Sequence, residues 1–268
     1  MADENNPTGL AAFRPAEMAK RVEASGVAKA RLDFVPLAML GILAGVFIGF
    51  GALFFVLVTT GAGDLFGPAR LLGGMAFSLG LILVIVGGAE LFTGNALIVM
   101  AWAASKVTSG ELLRNWAIVY VANLFGSLVL VAGVVAAGTL DLAGGEVGAT
   151  AARVTEAKLA LPPEMAFARA ILCNALVCLA VWLTFAAEDA AGKILAILWP
   201  ISAFVALGFE HSIANMFLLP LGLAAGAGGT WAQVVENLAI VTVGNVVGGS
   251  GGIAATYWAC YLRPSGRS

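Results

Sequence analysis

The chain has 268 residues, of which 60% are hydrophobic and only 11% charged, and its mean hydropathy is +0.97. That lies outside the range of a soluble globular domain and describes an integral membrane protein, with the lipid bilayer as its solvent. A formal net charge of -2 without a basic patch excludes a nucleic-acid partner.

The first thirty residues are polar and mixed in charge, with no apolar core of the kind a cleavable signal peptide needs. Residues 1 to 32 form an N-terminal segment, in which AEMAKRVEASGVAKARLD has helical spacing and reads as a short cytoplasmic or interfacial helix. Residues 33 to 262 then make a transmembrane domain, and residues 263 to 268 a short tail. Apolar runs divided by charged or turn-rich breaks predict six spans, near 34 to 60, 71 to 105, 112 to 137, 164 to 187, 191 to 223 and 232 to 262. The second and fifth are too long for one plain helix and carry polar interruptions, GGAELFTGN and GFEHSIAN. Each is better read as two half-helices around a loop, since irregular backbone at membrane depth is tolerated only inside protein or along a watery cavity.

Lys and Arg set the orientation. Arg14, Lys20, Arg21, Lys29, Arg31, Lys106, Arg114, Lys193, Arg263 and Arg267 fall on one side of a six-span layout, whereas Arg70, Arg153, Lys158 and Arg169 fall on the other. Both termini are therefore expected in the cytoplasm, in a multi-pass protein of the inner membrane. Cys173, Cys178 and Cys260 all lie in apolar segments and read as small buried side chains, implying neither disulfide nor metal.

An internal repeat runs through these spans. Glu90 and Asn95 align with Glu210 and Asn215, and NWAIVYVANLFGS at 115 to 127 aligns with NLAIVTVGNVVGG at 237 to 249, asparagine on asparagine. Three spans per half is an odd number, so halves of about 33 to 140 and 160 to 262 enter the membrane from opposite sides as an inverted repeat. Such folds place the substrate near the midplane at discontinuous helices, and here the two broken spans occupy corresponding positions.

The breaks carry the chemistry. Half-helix N-termini offer unpaired N-H groups and a partial positive charge, which attracts an anion without a permanent charge nearby. Thr93 and His211, the chain's single histidine, sit one in each break. If the repeat brings them together, the hydroxyl can bond the imidazole, whose ordinary pKa of about 6.5 suits it to donate a proton to a weak-acid anion. Glu90 and Glu210 read as structural groups bonded to loop N-H groups or to a neighbouring protomer, and Asn115, Asn123, Asn237 and Asn245 as interhelical hydrogen-bonding groups. Phe77, Leu81, Leu91, Phe92 and Phe204 are either core packing or hydrophobic constrictions on the two sides of the histidine. No enzyme constellation, cofactor motif or metal-ligand spacing is present in the sequence, and the paired Asn-Pro-Ala motifs of an aquaporin are absent.

GFEHSIANMF, AELFTGN and the segment from Asn115 to Ser127 together resemble the formate/nitrite transporter family, over residues 30 to 262. The resemblance implies an all-α homopentamer, with one aquaporin-like six-span pore per protomer that conducts small monovalent anions. It makes His211 the central pore histidine with Thr93 as partner, Lys158 an anion-attracting lysine, and Asn174 a pore-lining asparagine. Phe77, Leu81, Leu91, Phe92, Val177 and Phe204 become constriction residues, while Asn95 and Asn215 join the two glutamates in anchoring the loops. HSIANMF followed by LLPLG resembles the formate branch, and nitrite-branch members tend to carry threonine where Phe217 stands. The expected function is a formate channel or proton-coupled transporter. Nitrite, hydrosulfide or another small carboxylate is the alternative substrate, and a non-conducting anion sensor the alternative of another class.

Overall fold

A computed structural model describes residues 12 to 263, so residues 1 to 11 of the expected N-terminal segment, and the tail from 264, lie outside the described residues. Among the described residues every element is a helix, with one isolated antiparallel bridge between Ala12 and Ala187. Helix α1 (Pro15–Ala30) starts on a proline, whose missing N-H costs nothing in a first turn. Its buried face of Met18, Ala19, Val22, Glu23 and Gly26 lies against protein rather than at a free interface, with Gly26 closest to Ile98 and Ala101.

Among the described residues five helices are long and apolar enough to cross a membrane: α2 (Phe34–Thr59), α3 (Phe66–Gly87), α5 (Ser109–Ala136), α7 (Pro163–Thr184) and a final rod over Trp231–Tyr261. The expected fifth span is not a single helix of that length. It is divided into α8 (Ala190–Ala206) and α9 (Ser212–Ala224). After α3 the chain resumes as a 3-10 turn, Gly94–Ile98, that runs into the short α4 (Val99–Ala103). Helix α6 (Glu146–Leu159) precedes α7 as α1 precedes α2.

The two halves use the same local devices. Helix α5 opens on a capping box in which Glu111 N-H donates to Thr108 Oγ1 (3.2 Å) and Thr108 N-H to the Glu111 carboxylate (2.8 Å). Helix α10 (Trp231–Val246) opens on Thr230 and Gln233 in the same arrangement, at 3.3 and 2.9 Å. Gly126 on α5 abuts the backbone of Ile42, and Gly248 abuts that of Ile171, so glycine brings α5 onto α2 and the last rod onto α7 at matching points.

That last rod departs from the plain helix expected over 232 to 262. Between α10 and α11 (Ala255–Tyr261), the stretch Val247–Ala254 widens into a π-helix. Its sequence, VGGSGGIA, is poor in helix formers. The packing explains the distortion, because Gly249 sits against Asn174, Ala96 and Cys178, and Ser250 Oγ donates to the Ala96 carbonyl at 3.4 Å.

Polarity runs from inside to outside in the sense lipid demands. Asn115, Asn123, Ser127, Asn174 and Asn245 are fully buried, whereas Val121, Phe125 and Val129 point outward from α5. Cys173 and Cys178 are buried as expected. Cys260 is exposed, because the last turn of α11 presents that side away from the bundle.

Replacing Gly248 by valine is expected to lower stability by about 1–3 kcal/mol through overpacking on Ile171. Gly251→Ala, whose Cβ meets nothing within 4 Å, is expected to shift it by less than about 1 kcal/mol. Thermal unfolding of the detergent-solubilised protein measures both, and equal losses would contradict the packing argument.

Candidate functional site

Each break begins with a glycine in the left-handed region. Gly88 (φ 80°) ends α3, with the N-H groups of Gly88 and Ala89 both returning to the Val84 carbonyl. Gly208 (φ 72°) ends α8, with Phe209 N-H returning to the Phe204 carbonyl at 3.0 Å. Only glycine adopts this conformation without strain. The chain then runs irregularly until helix resumes after Thr93 in one break and after His211 in the other.

Two asparagines hold the loops. Asn123 donates to the carbonyls of Gly41 (2.7 Å) and Glu90 (3.0 Å) and accepts from Phe92 N-H (3.0 Å). Asn245 donates to the carbonyls of Ala170 (2.8 Å) and Glu210 (2.9 Å) and accepts from Ser212 N-H (2.9 Å). Each therefore satisfies backbone groups that a broken helix leaves open.

A second matched network surrounds the glutamates. Asn95 Nδ2 donates to Glu90 Oε2 (2.8 Å) and to Asn115 Oδ1 (2.9 Å), and Asn115 donates to the Lys29 carbonyl (2.9 Å). Asn215 Nδ2 donates to Glu210 Oε2 (2.7 Å) and to Asn237 Oδ1 (2.9 Å), and Asn237 to the Lys158 carbonyl (3.5 Å). Lys29 Nζ pairs with Glu90 at 2.5 Å and Lys158 Nζ with Glu210 at 2.9 Å. The glutamate carboxylates thus take a lysine and an asparagine of their own break, and it is their carbonyls that the loop-holding asparagines bind. A buried carboxylate away from water needs a cation more than it needs a neutral N-H.

The breaks meet at Thr93 and His211. Thr93 Oγ1 and His211 Nε2 lie 2.9 Å apart, and His211, 2% exposed, caps α9 by accepting the Ala214 N-H at Nδ1 (3.0 Å). Because Nδ1 accepts, a neutral ring carries its proton on Nε2, and Nε2-H donates to the threonine oxygen. The Ala214 amide thus sets the tautomer, and the Thr93 hydroxyl proton is left to point elsewhere. Phe204 lies over the imidazole with ring centroids 5.8 Å apart, and Phe77 meets Phe204 edge-on at 5.5 Å.

Two separate cavities adjoin the breaks. The larger, about 620 Å³, is walled by Phe77, Phe204, Lys158, Glu210 and His211 among others. The smaller, about 290 Å³, is walled by Lys29, Leu81, Glu90 and Leu91, with α1 along one side.

A profile for formate/nitrite transporters matches residues 16 to 259. The chain belongs to that family. It is 39% identical to the formate channel FocA of Escherichia coli (strain K12), with 97% of each chain covered. It is 41% identical to a probable formate transporter of Methanothermobacter thermautotrophicus, over 93% of this chain and 97% of that one. Among solved structures, one described as a pentameric formate channel with formate bound superposes with a TM-score of 0.79 at 41% identity, covering 85% of this chain and 97% of that one. An ion channel of the same family gives 0.84 at 29% identity, covering 91% and 98%.

Three further positions marked by the family resemblance are not on the walls of either cavity. Phe92 packs edge-on against Trp116 and Tyr120 of α5. Asn174 is buried on α7, donating to the Asn245 carbonyl at 2.7 Å, and Val177 is buried one turn on. Neither cavity is walled by these three side chains. Lys29 was missed as a partner of Glu90. Its signal was available, since it stands five residues before α2 as Lys158 stands five before α7.

Asn245→Ala takes the side-chain partner from the Glu210 carbonyl and the Ser212 N-H in the break and is expected to destabilise the protein by about 2–4 kcal/mol. Asn237→Ala, which loses one 2.9 Å bond and one at 3.5 Å, is expected to cost about 1 kcal/mol. Denaturation in detergent compares them, and a larger loss for Asn237→Ala would overturn this ranking of the two asparagines.

Proposed function

We propose that the chain is a channel for formate and similar small monovalent anions, a homopentamer in the inner membrane with both termini in the cytoplasm. The observation that carries this reading is the buried Thr93–His211 pair, where two half-helices meet N-terminus to N-terminus beside two cavities. Family membership and the solved relative described as pentameric with formate bound support the substrate and the assembly. The distribution of Lys and Arg supports the orientation, with the Lys29 cavity toward the cytoplasm and the Lys158 cavity outward.

In this reading an anion in the outer cavity meets Lys158, which keeps N-H donors beyond the one given to Glu210. It then passes the apolar wall of Phe77 and Phe204. Beyond lie His211 and Thr93, and on the other side Leu81 and Leu91. In the same reading Phe92 and Val177 narrow the passage between the two cavities and Asn174 lines it, while Glu90, Asn95, Glu210 and Asn215 anchor the loops.

At the centre Nε2-H and the Thr93 hydroxyl are the donors that offset the negative charge. An unpaired ion in hydrocarbon is penalised by several kcal/mol or more, so an anion given a proton crosses the constriction more easily. Transfer from a neutral ring would leave imidazolate. Full protonation therefore requires a second ring proton first, taken at Nδ1 in place of the Ala214 bond. The chemistry is transport without covalent change, and nothing in it calls for a cofactor.

Purified protein in liposomes tests the reading against a panel of formate, nitrite, hydrosulfide, acetate and lactate at two pH values. Formate flux is expected to lead the panel and to rise as pH falls; a protein that binds anions but passes none would be the sensor instead. His211→Phe is expected to abolish or flatten the pH response, and unchanged flux with an unchanged response would sink the histidine mechanism.

A further inference from the structure

The larger cavity holds two cations that the mechanism above does not use. Arg70 in the second turn of α3 and Arg169 in α7 both wall it, together with His211. Their guanidinium groups converge on one point: a Cβ built on Gly208 would lie 2.9 Å from Arg70 Nη2 and 3.8 Å from Arg169 Nη1. Both bond only neutral carbonyls. Arg70 donates to Ala206 and Val205, each at 3.0 Å, and Arg169 to Gly208 at 3.3 Å. Among the described residues neither has a carboxylate within ion-pairing distance.

The other cations of this cavity are differently placed. Lys158 is tied to Glu210, and Arg153 is exposed with Glu146 at 3.7 Å. The positive charge left without a counter-ion beside the pore is therefore that of the two arginines. Like charges converging at a half-buried site repel, and an anion between them relieves the cost.

Pseudo-symmetry shows that the fold does not require Arg169. Glu210 N-H donates to the Arg169 carbonyl as Glu90 N-H donates to the Leu40 carbonyl, so leucine fills the corresponding position in the other half. The backbone contact is shared and the guanidinium is not. Arg70 has a structural share, because it binds carbonyls at the C-terminal end of α8. Arg169 makes a single long bond, and most of its N-H groups stay free.

We propose that Arg70 and Arg169 form an anion-collecting site at the mouth of the larger cavity, in which a small carboxylate docks on the guanidinium groups before it reaches His211. Planar guanidinium and carboxylate match in geometry, which favours a carboxylate over a spherical halide. The proposal rests on the channel reading for the fate of the anion, but the docking site has its own readout.

Formate flux in proteoliposomes and formate-dependent thermal stabilisation in detergent, both at low ionic strength, are compared for the native chain, Arg169→Gln and Arg169→Lys. Arg169→Gln is expected to raise the half-saturating formate concentration roughly three- to tenfold, between the effects of an exposed and a buried charge pair. Maximal flux should change less, Arg169→Lys should recover part of the loss, and added salt should shrink the difference. An unchanged half-saturation in Arg169→Gln overturns the proposal. So does a lowered maximum alone that Arg169→Lys fails to rescue. If the native chain passes no small anion, the channel reading fails separately, and stabilisation decides: a response to formate lost in Arg169→Gln upholds the site, and an equal response in both overturns it.

Discussion

Every distinctive feature of this molecule follows from opening two helices inside a membrane without leaving their backbone groups unpaired. In water a broken helix is repaired by solvent, but in hydrocarbon each unsatisfied N-H or C=O costs several kcal/mol. Asn123 and Asn245 meet that requirement from neighbouring helices, each with one side-chain amide bonding three backbone groups of the loop and of the adjacent span. Gly126 against Ile42 and Gly248 against Ile171 bring the helices that carry these asparagines close to the neighbouring spans, so the loops take their positions from the packed part of the fold.

Buried carboxylates extend the same logic to the short helices. Glu90 and Glu210 each need a cation, and the lysines that supply it come from α1 and α6. Asn115 and Asn237 then bond the carbonyls of those same lysines, so the end of each short helix is clamped at side chain and backbone together. Helix α1 consequently forms one side of the smaller cavity, and α6 of the larger. What looks in sequence like a polar preface to the membrane domain is bonded into it as firmly as its counterpart in the second half.

Much of this was legible from the residues alone, because the breaks are polar strings in apolar surroundings and the repeat is written in asparagines at equal spacing. The Thr93–His211 contact was expected only on the condition that the repeat faces the two breaks together, and the two side chains do meet. The partners of the glutamates were not expected. Their lysines lie some fifty to sixty positions away, and the two halves differ in loop length, so the offset between matched residues changes from 120 at Glu90 and Glu210 to 129 at Lys29 and Lys158. Constriction residues were legible only as apolar side chains near the breaks. Which of them wall a cavity depends on helix rotation and on packing partners, such as the Trp116 and Tyr120 rings that meet Phe92 edge-on. The π-turn over Val247–Ala254 was similarly hidden, since its cause is the crowding of Asn174, Ala96 and Cys178 against glycine from outside the helix.

The scaffold is nearly two-fold, but the groups it presents at the centre are not. Position for position, His211 stands where the first break has Leu91, and Thr93 where the second has Ile213. The backbone bonds that fix these positions are the same in both halves, so substituting the side chains leaves the support intact. One half contributes an imidazole oriented by its own helix N-terminus, and the other an hydroxyl whose oxygen accepts from it. Two histidines facing each other would have to share protons and would repel once both were charged. A single histidine opposite a threonine avoids that repulsion and keeps one hydroxyl donor free, and a symmetric scaffold with asymmetric side chains is how the sequence achieves it.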